Sequence, residues 1–98
     1  EDVIVFADDL EGEELRILMN LILDHGKRLC AVFGGDEEHG FRYVIGSRIL
    51  DMRPLAKELN ETFHGRGGGK SEMVQGSVQG NESEMRAWIQ EKARKMNG

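Results

Sequence analysis

A glycine-rich segment holds the residues of this sequence that are best suited to chemistry. Residues 64–71 read His-Gly-Arg-Gly-Gly-Gly-Lys-Ser, so that two cations, Arg66 and Lys70, flank three consecutive glycines. These glycines are Gly67, Gly68 and Gly69. Glycine lets the backbone approach a ligand closely, and consecutive N–H groups in a loop can form a concavity that binds anions. The segment therefore predicts a phosphate-binding loop, and a surface turn without a ligand is the alternative interpretation.

The sequence lacks the common catalytic patterns. Gly-Lys-Ser at the end of the segment resembles a nucleotide-binding phosphate loop, but the first glycine of that motif falls on His64, and a helix precedes where a strand is required. No serine lies in the context of a hydrolase nucleophile. Histidines at positions 25, 39 and 64 and a cysteine at position 30 lack the close spacing of a metal site. We expect neither a catalytic centre nor a metal or cofactor in this chain.

Three further side chains are weaker candidates for anion binding. Gln75 belongs to an alternating polar series along a predicted strand, a pattern that also fits any half-exposed strand. Arg48 and Arg53 flank the turn into a predicted helix, and ordinary surface charges explain them equally well.

Charge is distributed unevenly along the chain. Residues 1–41 carry eleven acidic and three basic side chains, whereas residues 42–70 carry six basic and three acidic ones. The formal net charge of -5 disfavours a nucleic-acid partner for the chain as a whole. The basic middle still permits local binding of an anion, because the field of one face matters more than the total charge.

Hydrophobic periodicity predicts the elements that position these residues. Apolar runs at residues 3–6 and 29–33 predict buried strands. An amphipathic helix between them, with Asp9 as its N-cap and Gly26 as its end, predicts a parallel βαβ unit. Alternation in residues 41–47 predicts a third strand in an antiparallel hairpin with the second.

The second half of the chain adds two helices and one strand to this prediction. Pro54 suits the first turn of a helix, and residues 73–78 read as the last strand. Asn81 and Glu84 have the spacing of a capping box at the start of a final helix. The predicted fold class is α/β, with helices flanking a mixed β-sheet in the order βαββαβα.

Length and composition predict one soluble domain. Ninety-eight residues, of which 39% are hydrophobic, suffice for a single core, so residues 1–98 form one domain. No apolar run approaches the roughly 18 residues of a membrane span. The lone Cys30 lies in an apolar stretch and reads as a buried side chain, which favours a cytoplasmic protein. Because the chain begins with Glu1 and not Met, we expect it to be part of a longer protein.

The glycine-rich segment also carries a family resemblance. Residues 67–76, Gly-Gly-Gly-Lys-Ser-Glu-Met-Val-Gln-Gly, resemble the signature of the DHH-associated domain at the C-terminus of alanyl-tRNA synthetases and of AlaX-type alanyl-tRNA editing proteins. That signature commonly reads Gly-Gly-Gly-Arg-Pro-Asp-Met-Ala-Gln-Gly, so four positions differ. Residues 43–47 and the helix that contains Asn60 lie where the family has its counterparts. In DHH phosphoesterases a His occupies the position of Lys70, which disfavours that branch.

The resemblance implies an accessory domain that binds tRNA, with alanine tRNA as the expected partner. The parent protein is then expected to be an editing hydrolase that deacylates mischarged alanine tRNA with zinc held in a separate domain. This chain lacks the His-x-x-x-His and Cys-x-x-x-His pairs of that zinc site, so we expect it to bind no zinc and to be no enzyme by itself. Arg66, Lys70 and the glycines between them become the expected phosphate contacts.

Two other functions are compatible with the sequence. The chain could be the substrate-binding or dimerisation domain of a DHH-family phosphoesterase. It could also be an oligomerisation domain that forms a homodimer through a sheet edge or a helix face.

Overall fold

The computed structural model describes residues 1–97 as a sheet covered by helices on both faces. The strands in this part of the chain are β1 (Asp2–Phe6), β2 (Leu29–Asp36), β3 (Gly40–Ser47), β4 (Arg66–Lys70) and β5 (Met73–Val78). The helices are α1 (Glu13–Asp24), α2 (Arg53–Thr62) and α3 (Glu82–Arg94). None of these helices combines the length and the hydrophobicity that crossing a membrane requires.

The sheet is mixed and has the order β1-β2-β3-β5-β4. β1 pairs in parallel with β2, as the βαβ prediction requires, and β2 pairs with β3 as the predicted antiparallel hairpin. β5 then pairs antiparallel with both β3 and β4. β1 and β4 are therefore the two edge strands, and β4 carries the glycine-rich segment.

Two apolar clusters hold the layers together. The larger cluster joins α2 and α3 to one face of the sheet, and its fully buried members include Phe33, Tyr43 and Ile89. The smaller cluster joins α1 to the other face through Leu15, Met19 and Leu23. Since successive side chains of a strand point to opposite faces, β2, β3 and β5 each contribute to both clusters. The result is a three-layer fold with α1 alone on one side.

Local sequence signals account for the starts of two of the three helices described. Pro54 lies in the first turn of α2, where the missing N–H costs no hydrogen bond. The side chain of Asn81 accepts a hydrogen bond from the backbone N–H of Glu84 at 3.0 Å and so caps α3, as predicted. The N-cap prediction for α1 is wrong, because Gly12 and not Asp9 precedes the first helical residue.

The predicted α/β class with a mixed sheet is confirmed, whereas the loop prediction for the glycine-rich segment is wrong. Arg66–Lys70 forms β4, which a two-residue turn joins to β5. The order βαββαβα holds when this β4–β5 hairpin counts as one unit. A run of glycines lacks the side-chain alternation that signals a strand, so pairing with β5 and not local propensity creates β4.

Cys30 is fully buried in the smaller cluster, as its apolar surroundings predicted. Burial raises the pKa of its thiol to about 12. The thiol is therefore protonated at neutral pH and acts as a small apolar side chain.

Candidate nucleic-acid interface

The α1 helix covers only part of the sheet face on which it packs. The α1 helix packs on β2 and β3, so β5 and β4 extend beyond it. The register of the strands places a row of polar and small residues on this uncovered area. We call this area the open sheet face; its residues are Arg42, Arg66, Gly68, Lys70, Gln75 and Ser77. All six are exposed.

Three cations project from the open sheet face without a carboxylate partner. Within residues 1–97, the structure gives no ion pair to Arg42, Arg66 or Lys70, whereas most other basic side chains have one. Arg42 and Arg66 both lie opposite Ser77, so their backbones are two strand spacings, about 10 Å, apart. Lys70 lies four residues from Arg66 along β4, about 13 Å away. Unpaired cations spaced in this way can contact several phosphates of one ligand.

A groove runs between α1 and the open sheet face. It consists of two adjoining depressions of about 670 and 400 Å³. Gln75 and Arg16 line both depressions, Arg42 lines the first, and Lys70 and Arg48 line the second. The amide of Gln75, which both donates and accepts hydrogen bonds, therefore lies at the junction of the two depressions, with cations on either side.

Glycine is sterically required at two of the three glycine positions of β4 but not at the third. A Cβ on Gly67 would lie 2.3 Å from the carbonyl oxygen of Gln75, and one on Gly69 would lie 2.5 Å from that of Met73. Gly67 also has a φ of +144°, which side chains rarely adopt. A Cβ on Gly68 would meet nothing within 4 Å. Gly67 and Gly69 are thus required by the fold, whereas Gly68 keeps the open sheet face flat.

A concavity of converging N–H groups, which the sequence predicted, does not form in β4. In a strand, successive N–H groups point in opposite directions, and β4 is paired with β5 along its length. The groups that this segment offers to an anion are thus the side chains of Arg66 and Lys70.

Side-chain and backbone hydrogen bonds fix the hairpin that carries these cations. Burial raises the pKa of Tyr43, so its hydroxyl stays protonated and donates to Oδ1 of Asn60 at 3.0 Å. Nδ2 of Asn60 in turn donates to the carbonyl oxygen of Gly67 at 3.2 Å. At the other end, the turn carbonyls of Ser71 and Glu72 accept backbone hydrogen bonds from residues 52 and 47 at 2.8 and 3.1 Å. Both ends of β4 are therefore anchored to the core.

The aromatic side chains of the described residues lie away from the open sheet face. The aromatic side chains all belong to the larger cluster on the other face of the sheet or pack against it. No group of three or more His, Cys, Asp or Glu side chains within residues 1–97 could hold a metal ion. The open sheet face offers cations, one amide and a flat glycine, which suit an anionic ligand bound by shape and charge.

Comparison with known proteins places this arrangement in a family. Residues 2–96 match the family model of the DHHA1 domain. The chain belongs to the DHHA1 family. This DHHA1 domain is 31% identical over 75 residues to the alanine–tRNA ligase of Acholeplasma laidlawii (strain PG-8A). The alignment covers 76% of this chain but 9% of that relative, so the matched segment is less than a tenth of the relative's length.

A solved structure shares the fold of this DHHA1 domain. The C-Ala domain of the Aquifex aeolicus alanyl-tRNA synthetase superimposes with a TM-score of 0.75, over 92% of this chain and 87% of that one. Sequence identity in this match is 20%. The family resemblance drawn from residues 67–76 is thus confirmed.

The structure of the DHHA1 domain separates the arginines that the sequence grouped together. Nη2 of Arg48 lies 2.7 Å from Oδ1 of Asp24, so this guanidinium borders the groove but is paired. Arg53 forms a close ion pair with Asp51, and its hydrogen bonds lower the pKa of that carboxyl to about 2. Arg53 lies outside both depressions of the groove.

Sequence reasoning missed two cations of the DHHA1 domain that line the groove. Arg42 carried a usable signal, since Phe41 and Tyr43 point into the core and the residue between them must point to the other face. Arg16 carried none, because its place beside Gln75 depends on how α1 lies across the sheet.

Proposed function

We propose that this DHHA1 domain is an accessory module that binds tRNA through the open sheet face. The observation that carries the proposal is the set of three unpaired cations, Arg42, Arg66 and Lys70, on one flat and uncovered surface. Because the net charge of the chain is -5, binding of a polyanion depends on the local field of such a surface. Lys and Arg contacts to phosphate would orient the RNA without reading its sequence.

The chemistry of the surface favours folded RNA over a single strand. Proteins that bind single strands stack bases on exposed aromatic rings, and the rings described here lie in or against the core. Recognition by phosphate and shape suits the wide minor groove and backbone of an RNA helix. The amide of Gln75, at the junction of the two depressions, is placed to hydrogen-bond a ribose hydroxyl or a base edge.

The names of the relatives support alanine tRNA as the ligand. Both belong to enzymes that act on alanine and tRNA, and the glycine signature implied the same RNA. We include in the proposal a parent enzyme, active in the cytoplasm, that deacylates mischarged alanine tRNA with zinc bound in another domain. The task of this domain in such an enzyme is to hold the tRNA, and its own residues supply no catalytic group.

Fluorescence anisotropy of labelled alanine tRNA tests the proposal. The chain is titrated at several salt concentrations, as the wild type and as an Arg66→Ala/Lys70→Ala variant. Each phosphate contact contributes roughly 0.7 to 0.9 to the slope of log affinity against log salt. The double variant is expected to bind more weakly and to lower that slope by about 1.5.

A matched control variant distinguishes an effect of the open sheet face from an effect of the net charge. Lys57 on α2 and Lys95 after α3 are also exposed, so a Lys57→Ala/Lys95→Ala variant removes the same charge away from the open sheet face. We expect this control to bind like the wild type, and a single-stranded RNA of equal length to bind more weakly than tRNA. Equal losses in the two variants would show non-specific attraction and would contradict the proposal.

A further inference from the structure

The groove beside the open sheet face has a second wall, which α1 supplies. Glu13, Arg16 and Asn20 are spaced by three and four residues, so they follow one side of the helix with one residue per turn. Glu13 lines the first depression, Asn20 lines the second, and Arg16 lines both. We call these three residues the helix wall. A polar stripe about 10 Å long therefore runs beside the groove.

Arg16 and Gln75 meet at the junction of the two depressions. Both residues line both depressions, Arg16 from α1 and Gln75 from β5. The side chain of Arg16 is 44% exposed, so its guanidinium is accessible to a ligand in the groove. A guanidinium and an amide both donate hydrogen bonds, and the oxygens of a phosphate accept them. The junction therefore suits a phosphate that is held from both walls.

A carboxylate of the helix wall already engages Arg16. Arg16 forms an ion pair with Glu13, which lies one turn earlier on α1 and has a side chain that is 63% exposed. Exposed pairs of this kind are weak, because water screens the two charges and both side chains lose conformational freedom. Hydrogen bonds between arginine and phosphate are among the stronger ones. Releasing Arg16 from Glu13 therefore costs little compared with the contact that a phosphate would form.

The lining of the groove is basic even with its carboxylates included. It contains four basic and two acidic side chains, which are Arg16, Arg42, Arg48, Lys70, Glu13 and Glu72. These cations are spread along the groove, since Arg42 lines the first depression, Lys70 lines the second and Arg16 lies between them. A small anion would engage one part of this row, whereas a backbone with successive phosphates would engage all of it. The distribution of charge therefore favours a nucleic-acid strand.

We propose that one backbone strand of the folded RNA lies in the groove, where Arg16 binds a phosphate and Glu13 is the carboxylate that this phosphate displaces. The inference rests on the proposed function and extends the RNA site from the open sheet face to α1. Glu13 then acts as an internal competitor of the RNA, and it lowers the affinity that the cations alone would give.

Anisotropy titrations with alanine tRNA test the role of Arg16. Arg16→Ala is expected to bind about fivefold more weakly and to lower the slope of log affinity against log salt by roughly 0.7 to 0.9, the share of one phosphate contact. Alanine suits a helix, so thermal unfolding should show that this variant is folded. Arg94→Ala is the matched control and should bind like the wild type. Arg94 also pairs with a glutamate three residues earlier, but it lines a depression between β1 and α3.

Glutamine substitutions test the role of Glu13. Glu13→Gln should bind tRNA about threefold more tightly, because it releases Arg16 and removes the competing carboxylate. Glu14→Gln removes the same charge from the next position of α1 and should bind like the wild type. Glu14 is exposed and has no ion pair within residues 1–97. In the Arg16→Ala background, the gain from Glu13→Gln should disappear, because no cation is left to release.

The outcomes separate this inference from the proposed function. Wild-type affinity of Arg16→Ala, beside a loss in the Arg66→Ala/Lys70→Ala variant, would overturn the inference and leave the proposed function in place. Wild-type affinity of all these variants, or no binding of tRNA by the wild type, would overturn both. An equal gain from Glu13→Gln with and without Arg16 would show general repulsion of the RNA, and it would overturn the displacement of Glu13 by a phosphate.

Discussion

The two faces of the β4–β5 hairpin differ in the space that they leave for side chains. On the face toward the core, Gly67, Gly76 and Tyr43 lie in register, and the backbones of the two strands are too close for any added side chain. On the other face, Gly68 and Gln75 lie opposite each other in open space. One hairpin thus serves stability on one face and presents a ligand surface on the other. Glycine alone therefore does not identify a functional residue.

Substitution on the crowded face should have the largest effect on stability. A Cβ at Gly76 would lie 2.0 Å from the carbonyl oxygen of Arg66 and 2.8 Å from the hydroxyl of Tyr43. We expect Gly76→Ala to lower the free energy of unfolding by about 2 to 4 kcal/mol in urea denaturation. A loss below about 0.5 kcal/mol would show that the two strands separate easily, and the difference between the faces would disappear.

Removing the hydrogen bonds that fix β4 should have the next largest effect on stability. Tyr43→Phe leaves Oδ1 of Asn60 without its donor and should cost about 1 kcal/mol, whereas Asn60→Ala should cost about 1 to 3 kcal/mol. Because both residues belong to one chain of hydrogen bonds, the double variant should lose less than the sum of the single losses. Strict additivity in this double-mutant cycle would show that the two contacts act separately.

Substitution on the open sheet face should change the free energy of unfolding only slightly. Gly68→Ala places a methyl group in open space at a φ outside the left-handed region. We expect its free energy of unfolding to stay within about 0.5 kcal/mol of the wild type, in urea denaturation beside Gly76→Ala. Equal losses at the two positions would contradict the distinction between the faces.

Breaking the ion pair between Arg53 and Asp51, which lies outside the groove, should have the smallest effect on stability. Hydrogen bonds from Arg53 lower the pKa of Asp51 from 3.8 to about 2, so this pair stabilises the folded state above the usual pKa. The contribution is lost as the pH falls from about 4 through 2. Thermal unfolding of Asp51→Asn between pH 2 and 5 should therefore depend less on pH than that of the wild type, and identical profiles would contradict the pairing.

The spacing of apolar residues predicted most of the helices and strands, because most of them bury one apolar face. The βαβ unit, the β2–β3 hairpin and the cap at Asn81 all have signals within a few residues of sequence. β4 has none, since its pairing depends on close contact between Gly67 and Gly76. The pairing of β3 with β5 likewise has no local signal in the sequence.

The candidate site was predictable only in part. Arg66, Lys70 and Gln75 were found from residue types and come together on the open sheet face. The sequence could not show that Arg48 is paired, because its partner Asp24 lies on α1, 24 residues away. Arg53 and Asp51 are two residues apart, but their pairing depends on the local turn before α2.

Substitution of Gly68 by aspartate tests the central claim most directly. Gly68→Asp places a carboxylate between Arg66 and Lys70 on the open sheet face, and Gly68→Ala is the matched neutral control. Both variants should fold, as checked by urea denaturation. In anisotropy titrations with alanine tRNA, the alanine variant should bind like the wild type, while the aspartate variant should lose at least about tenfold in affinity. Wild-type affinity in a folded Gly68→Asp variant would contradict tRNA binding at this face.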